Sequence, residues 1–221
     1  MSLDRSARLR RESWAFAVGS IAFAVGAVPL YADAVGSVIT NLTFFVGAIL
    51  FTLGALIQLA LGGRRPPRGG TPAADRWDWW AAAVQLAGTL FFNVSTTEAL
   101  ITAINAQTRV ASGWRPDALG SICFLVASAF AVIATTDRDR LWDPQARTWR
   151  CTWLNMMGSV FFALSAVGAF VLPSTGDLAS LFWANLGTFL GALCFLTAAL
   201  LSRSATPARD NSRHTGLTTG G

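Results

Sequence analysis

The sequence predicts an all-α fold: a polytopic membrane protein of six transmembrane helices, arranged as three tandem two-helix hairpin repeats in a pseudo-threefold bundle. Three observations carry this. Apolar residues gather into six long blocks, one short signature recurs in every block, and nearly all arginines fall on one side of the blocks.

The chain of 221 residues is 53% hydrophobic and 13% charged, about half the charged share of a soluble domain. The blocks run from Trp14 to Tyr31, Ser37 to Leu61, Trp79 to Ile104, Asp117 to Thr136, Trp149 to Leu172 and Asp177 to Leu201. Each is long enough for a hydrocarbon core of about 30 Å. Lipid leaves every backbone polar group to be satisfied within its own segment, so the blocks are read as helices. The short alternating strands of a transmembrane barrel are not seen in the sequence.

The signature is Gly, a small residue, two apolar positions, then Phe. Its copies pair Gly19 with Phe23, Gly47 with Phe51, Gly88 with Phe92, Gly120 with Phe124, Gly158 with Phe162 and Gly191 with Phe195. Seven residues after the first small pair a second follows: Gly26-Ala27, Gly54-Ala55, Ser95-Thr96, Ala127-Ser128, Ser165-Ala166 and Ala198-Ala199. At 3.6 residues per turn these positions share one helix face. Apolar burial drives helix association weakly in lipid, so close approach over small residues must do so. The glycines and phenylalanines of the signature are therefore the expected helix-packing residues.

Spacing groups the blocks. Gly19, Gly88 and Gly158 lie 69 and 70 residues apart, and Gly47, Gly120 and Gly191 lie 73 and 71 apart. A two-helix unit of about 70 residues, present three times, is a duplication. An even number of spans keeps each copy in the same orientation, which implies an axis near the bilayer normal. The expected order is a cytoplasmic segment over 1–13, hairpin 14–61, an Arg/Gly/Pro linker over 62–78, hairpin 79–136, a linker over 137–148, hairpin 149–201 and a disordered tail over 202–221.

Net charge is +5, with seventeen basic residues, all arginine. Arg5, Arg8, Arg10 and Arg11 precede the first block; Arg64, Arg65, Arg68 and Arg76 join the second to the third. Arg138, Arg140, Arg147 and Arg150 join the fourth to the fifth, and Arg203, Arg209 and Arg213 follow the sixth. Only Arg109 and Arg115 lie on the other side. The positive-inside rule places both termini in the cytoplasm of a prokaryote's inner membrane. Topogenic charge against anionic lipid accounts for the basicity, so no nucleic-acid partner is expected. The N-terminus has the outline of a secretory signal, with a small-residue site at Ala32-Asp33-Ala34. Because the first block carries the full signature, it reads as a retained span.

The hairpin from Gly19 to Phe23 and from Phe45 to Phe51 resembles the YrhK-like membrane domain, a short two-helix domain with Gly-Ser-x-x-Phe patterns. The first and third hairpins resemble it best. The second departs, with a longer outer loop and with Trp114 where the others carry Asn41 and Asn185. The resemblance implies an integral membrane protein of a family without an established activity, and it supplies no catalytic residues.

Chemistry has few places to sit. Eleven of the twelve carboxylates lie in loops, tails or block ends; Glu98 is the exception, following the polar run Asn93-Val94-Ser95-Thr96-Thr97. An intramembrane carboxylate is a functional candidate by default. With Asn93, Ser95, Thr97 and Arg109 it forms the candidate polar, ion or proton site. The competing reading pairs Glu98 with Arg109 or Arg115 at the outer interface. Asn41, Gln85, Asn93, Asn155 and Asn185 are amides suited to bridging helices. Cys123, Cys151 and Cys194 form no disulfide framework, and the single His214 excludes paired-His ligation. Nucleophile triads, paired intramembrane carboxylates and phosphate-cradling loops are all lacking. The expectation is a non-enzymatic accessory or interaction module without cofactor or metal. Its expected partners are membrane lipids and a membrane protein or second copy of the chain. The alternative is a small transporter or channel using Glu98.

Overall fold

The computed structural model describes residues 2–63, 65–106, 114–138 and 141–203. Six helices follow in chain order: α1 Ser2–Gly26, α2 Pro29–Gly62, α3 Ala73–Ile104, α4 Pro116–Arg138, α5 Arg147–Gly168 and α6 Leu181–Arg203. Each packs against the next, and α6 packs back on α1, closing a ring.

Local chemistry sets the ends. The first span was expected to reach Tyr31, but α1 stops at Gly26. Extended Val28 precedes Pro29, which opens α2 at a first-turn position. Proline lacks the N–H that a continuing helix needs and suits that position. Tyr31 thus belongs to α2, where its hydroxyl meets Thr43 Oγ1 at 2.8 Å. α2 is interrupted at Gly36, whose φ of 80° and ψ of 169° are open to glycine. The uninterrupted helix resumes at Ser37, the expected start of the second span. The fifth and sixth spans are shorter than expected. Chain between them folds into a tight loop, with Leu172 N donating to Asp177 O and Ala179 N to Phe170 O, both at 2.8 Å. Val171 of this loop is 1% exposed.

By length and composition, α2, α4, α5 and α6 are long and apolar enough to cross a membrane. α1 and α3 do not qualify on their own. Charges over Arg5–Glu12 and the break after Gly26 shorten the apolar part of α1, and the polar run Asn93–Glu98 dilutes α3.

Within each consecutive pair, the glycines and phenylalanines of the signature seat each other. A Cβ on Gly19 would strike Phe51 at 2.8 Å, and one on Gly47 would strike Phe23 at 2.9 Å. Gly88 faces Phe124 and Gly120 faces Phe92; Gly158 faces Phe195 and Gly191 faces Phe162. The residue after each glycine is sealed off: Ser20, Ala48, Thr89, Ser121, Ser159 and Ala192 are all 2% exposed or less.

The six rings meet at the centre. Phe23, Phe92 and Phe162, from the odd-numbered helices, form a triangle with centroids 5.7, 6.0 and 6.1 Å apart. Phe51, Phe124 and Phe195, from the even-numbered helices, form another with separations of 5.7, 5.9 and 6.3 Å. Contacts of 5.5, 5.2 and 5.3 Å within α1/α2, α3/α4 and α5/α6 join the two layers. These separations are those of favourable aromatic pairs. Large aliphatics face outward instead: Val18, Leu53, Leu90, Ile122, Val160 and Leu193 are exposed, one on each helix. Soluble monomers rarely expose so continuous an apolar belt.

Between the pairs, hydroxyls and amides make the joints. Asn93 Nδ2 donates to Thr52 Oγ1 at 2.6 Å, joining α3 to α2. Ser121 Oγ donates to Phe162 O at 3.1 Å, and Ser128 meets Ser159 at 2.8 Å, joining α4 to α5. Ser13 meets Ser202 at 3.0 Å, joining α1 to α6.

Glycine substitutions should separate by what the new methyl meets. On Gly187 it would lie 2.6 Å from Phe161 O and 2.7 Å from Ser165 N, both main chain. On Gly54 it would meet only the ring of half-buried Phe16, at 3.0 Å. Gly187→Ala is therefore expected to destabilise the protein by about 1–3 kcal/mol. Gly54→Ala should be close to neutral, because helix propensity favours alanine by about 1 kcal/mol. Unfolding in detergent would check both, and equal losses at the two sites would contradict the packing account.

Candidate functional site

The double ring layer divides the interior of the bundle. On the side of the α3–α4 connection, a cavity of about 190 Å³ is floored by Phe23, Phe92 and Phe162. Its polar lining includes Asn41, Ser95, Thr96, Arg115, Asp117 and Asn185. Arg115 and Asp117 lie 3.9 Å apart, and Ser95 Oγ donates to Asp117 Oδ1 at 3.4 Å.

Toward the arginine-rich end lies a larger cavity of about 830 Å³, bordered by α1 to α5 and the α2–α3 connection. Helix periodicity explains its lining. Glu12 precedes Gly19 by seven residues, two turns along the same face. Gln85 and Asn155 each precede their signature glycine, Gly88 and Gly158, by three. Gln58 follows Gly47 by eleven, about three turns. All four face the cavity, with Ser128.

Glu12 is the chemically unusual member. Among the described residues, its carboxyl has neither a hydrogen-bond partner nor an ion pair. Burial alone pushes its pKa from 4.5 up to about 7. Desolvation disfavours a carboxylate when no cation or donor compensates it. Gln58 Oε1 is also buried without a partner. Charges nearer the mouth are matched differently. Arg138 forms ion pairs with both Asp75 and Asp78. Burial opposes its charge, but hydrogen bonds to Asp78 and Asp75 outweigh that and raise its pKa. This clamp ties the end of α4 to the start of α3. Trp79 Nε1 donates to Gly63 O at 2.9 Å, Trp149 Nε1 to Leu141 O at 2.8 Å, and Arg203 lies 3.9 Å above the Trp14 ring. Aromatic anchors thus tie down this end of the bundle.

The polar run singled out in the sequence does not converge on one place. Glu98 is exposed and lines neither cavity. Asn93 reaches sideways to Thr52, and Thr97 Oγ1 donates back to Asn93 O at 2.6 Å. Ser95 is buried and turns to Asp117. Arg109 lies outside the described residues. The structure therefore brings Ser95 together with Asp117 and Arg115, and leaves Glu98 apart. Asp117 and Glu12 were missed as candidates. Glu12 falls in the segment 1–13 ahead of the first expected span, although its spacing of seven from Gly19 is a legible signal. Of the amides, Asn93 bridges helices; Asn41 Nδ2 donates within its own helix to Ser37 O at 2.9 Å. No group of His, Cys, Asp and Glu suited to a metal occurs among the described residues.

No family model matches the chain, and no curated protein or solved structure matches it either.

Stability should report the state of Glu12. A carboxyl whose folded pKa lies above its unfolded value favours folding while protonated. That contribution is fully present below pH 4.5 and is lost as pH rises to about 7. The slope is at most about 1.4 kcal/mol per pH unit. Glu12→Gln removes this titration. The stability of the variant relative to wild type in detergent should therefore grow between pH 5 and 7 and level off above. Parallel pH profiles would show that the carboxyl is solvated.

Proposed function

We propose that the protein is a six-span, non-conducting module of a prokaryotic cytoplasmic membrane, with both termini inside and a non-enzymatic accessory or interaction role. One observation carries this reading: six interlocked rings fill the middle of the bundle between two polar cavities. A layer of packed aromatic rings leaves no room for a water column, and hydrophobic constrictions block ions by dewetting. Four helices have the length and composition to span. α1 and α3 complete the same closed ring and share its ring layer, which supports their crossing alongside the others. Arginine placement supports the orientation.

In this reading the structural unit is a hairpin of the YrhK-like kind, used three times about a pseudo-threefold axis. The reciprocal glycine–phenylalanine seating recurs in α1/α2, α3/α4 and α5/α6, which supports triplication. The partners are lipids along the aliphatic belt, and a membrane protein or second copy seated on that belt. A transport role built on Glu98 finds no support in the two cavities, because that residue lines neither.

Purified protein in sealed vesicles should carry K⁺ and proton flux no greater than protein-free vesicles, and Glu98→Gln should change nothing. Phe124→Ala removes a ring that is 2% exposed. It should destabilise the bundle by about 3–5 kcal/mol, as large-to-small core changes do. Protein-dependent flux through the wild type would overturn the sealed-module reading.

A further inference from the structure

We propose that the inner cavity binds a small organic cation bearing a primary ammonium group, held by the Glu12 carboxylate and Gln58 Oε1. Both groups are acceptors and both residues line the same cavity. Gln58 Oε1 is buried without a partner among the described residues, and the half-buried Glu12 has no hydrogen bond or ion pair among them. A half-buried carboxylate facing a polar cavity without a counter-ion is matched by a ligand that brings positive charge and N–H donors together. The amides of Gln85 and Asn155 and the hydroxyl of Ser128 add further hydrogen-bonding capacity to the walls. A volume of about 830 Å³ lies in the range of small-molecule sites and far exceeds a bare metal ion.

The charged groups around Glu12 come from several elements. On α1 itself, Arg5 lines the cavity and is exposed; Arg8, one turn before Glu12, and the neighbouring Arg10 and Arg11 are exposed as well, and Arg8 makes an interaction of its own. The α2–α3 connection contributes Arg65, also exposed, and α2 contributes neutral Gln58. α3 brings Asp75 and Asp78, both committed to Arg138 of α4. α5 brings neutral Asn155. α6 packs on α1 and carries Arg203, which is stacked on Trp14. No described basic group lowers the Glu12 pKa, and burial is its only cause of shift. The chain has no lysine, so none of its side chains supplies an ammonium. The cation comes either from a free amine or from an aminated lipid headgroup at the inner interface. The recognised chemistry is the same for both.

Binding a cation requires Glu12 to be ionised, so the ligand displaces a proton as it enters. With a carboxyl titrating at about 7, apparent affinity should fall about tenfold between pH 8 and pH 6.

The test uses the full chain in lipid nanodiscs, with butylammonium as the probe and melting temperature as the readout. In phosphatidylcholine discs at pH 8, butylammonium should raise the melting temperature saturably, while butanol at equal concentration should not. The effect should weaken about tenfold in apparent affinity at pH 6 and vanish in Glu12→Gln. Discs containing phosphatidylethanolamine distinguish the sources. Loss of the butylammonium shift there identifies the headgroup as the occupant, and an undiminished shift identifies a free amine. No saturable shift at pH 8, an equal response to butanol, or an unchanged response in folded Glu12→Gln would overturn the proposal. Should Glu12→Gln not fold, the wild-type pH series and the weaker binding expected of Gln58→Leu decide it. The experiment reads binding and not flux, so it stands or falls separately from the sealed-module reading.

Discussion

Each ring of the central cluster is seated in a glycine notch on the helix beside it, and that helix returns a ring of its own. Two helices can approach this closely only where Cβ atoms are absent. The approach brings a phenyl group from each helix to the axis, where dispersion among flat rings replaces the hydrophobic drive that lipid does not supply. Interior polarity and the two cavities follow from this one contact. Because every signature face turns inward, the aliphatic residues between them must turn outward. The result is an interior of Phe, Ser, Thr and Ala inside a shell of Leu, Ile and Val.

A ring layer one Phe deep on each side also explains where the polar groups collect. Phe lies four residues past Gly on every helix. Helices of opposite direction therefore place their rings at two adjoining levels, which seals the middle and leaves both ends open. Polar side chains on the inward face above or below that level have only the cavities to occupy. Glu12, Gln58, Gln85 and Asn155 fall on one side; Asn41, Ser95, Asp117 and Asn185 fall on the other. Ser20, wholly buried at the level of the rings, has no partner for its hydroxyl among the described residues. It shows how little polar capacity the sealed layer provides.

Helical phase separates the carboxylates that line the two cavities from Glu98, which lines neither. Glu98 is conspicuous because it lies inside an apolar block, yet ten residues past Gly88 it is turned away from the signature face. At 100° per residue it sits roughly 100° off the direction set by Gly88, Phe92, Ser95 and Thr96. Glu12 looks like ordinary flanking charge, yet two full turns before Gly19 it shares the inward direction. Membrane depth singles out Glu98, whereas phase places Glu12 on the face that lines the inner cavity.

The sequence by itself determined the helical class, the blocks of α2, α4, α5 and α6 that suit a membrane, and the face on which the helices meet. Those properties reside in local composition and in a period of 3.6 residues, which any stretch of chain displays alone. Tertiary structure decided which glycine receives which ring, that α6 closes on α1, and that two cavities flank the rings. It also decided that Glu12, without a counter-ion among the described residues, lines a cavity, while Glu98 lines neither of the two. These outcomes depend on several helices at once: a cavity or an unpaired charge is defined by what the neighbouring elements fail to supply, and no single segment records that.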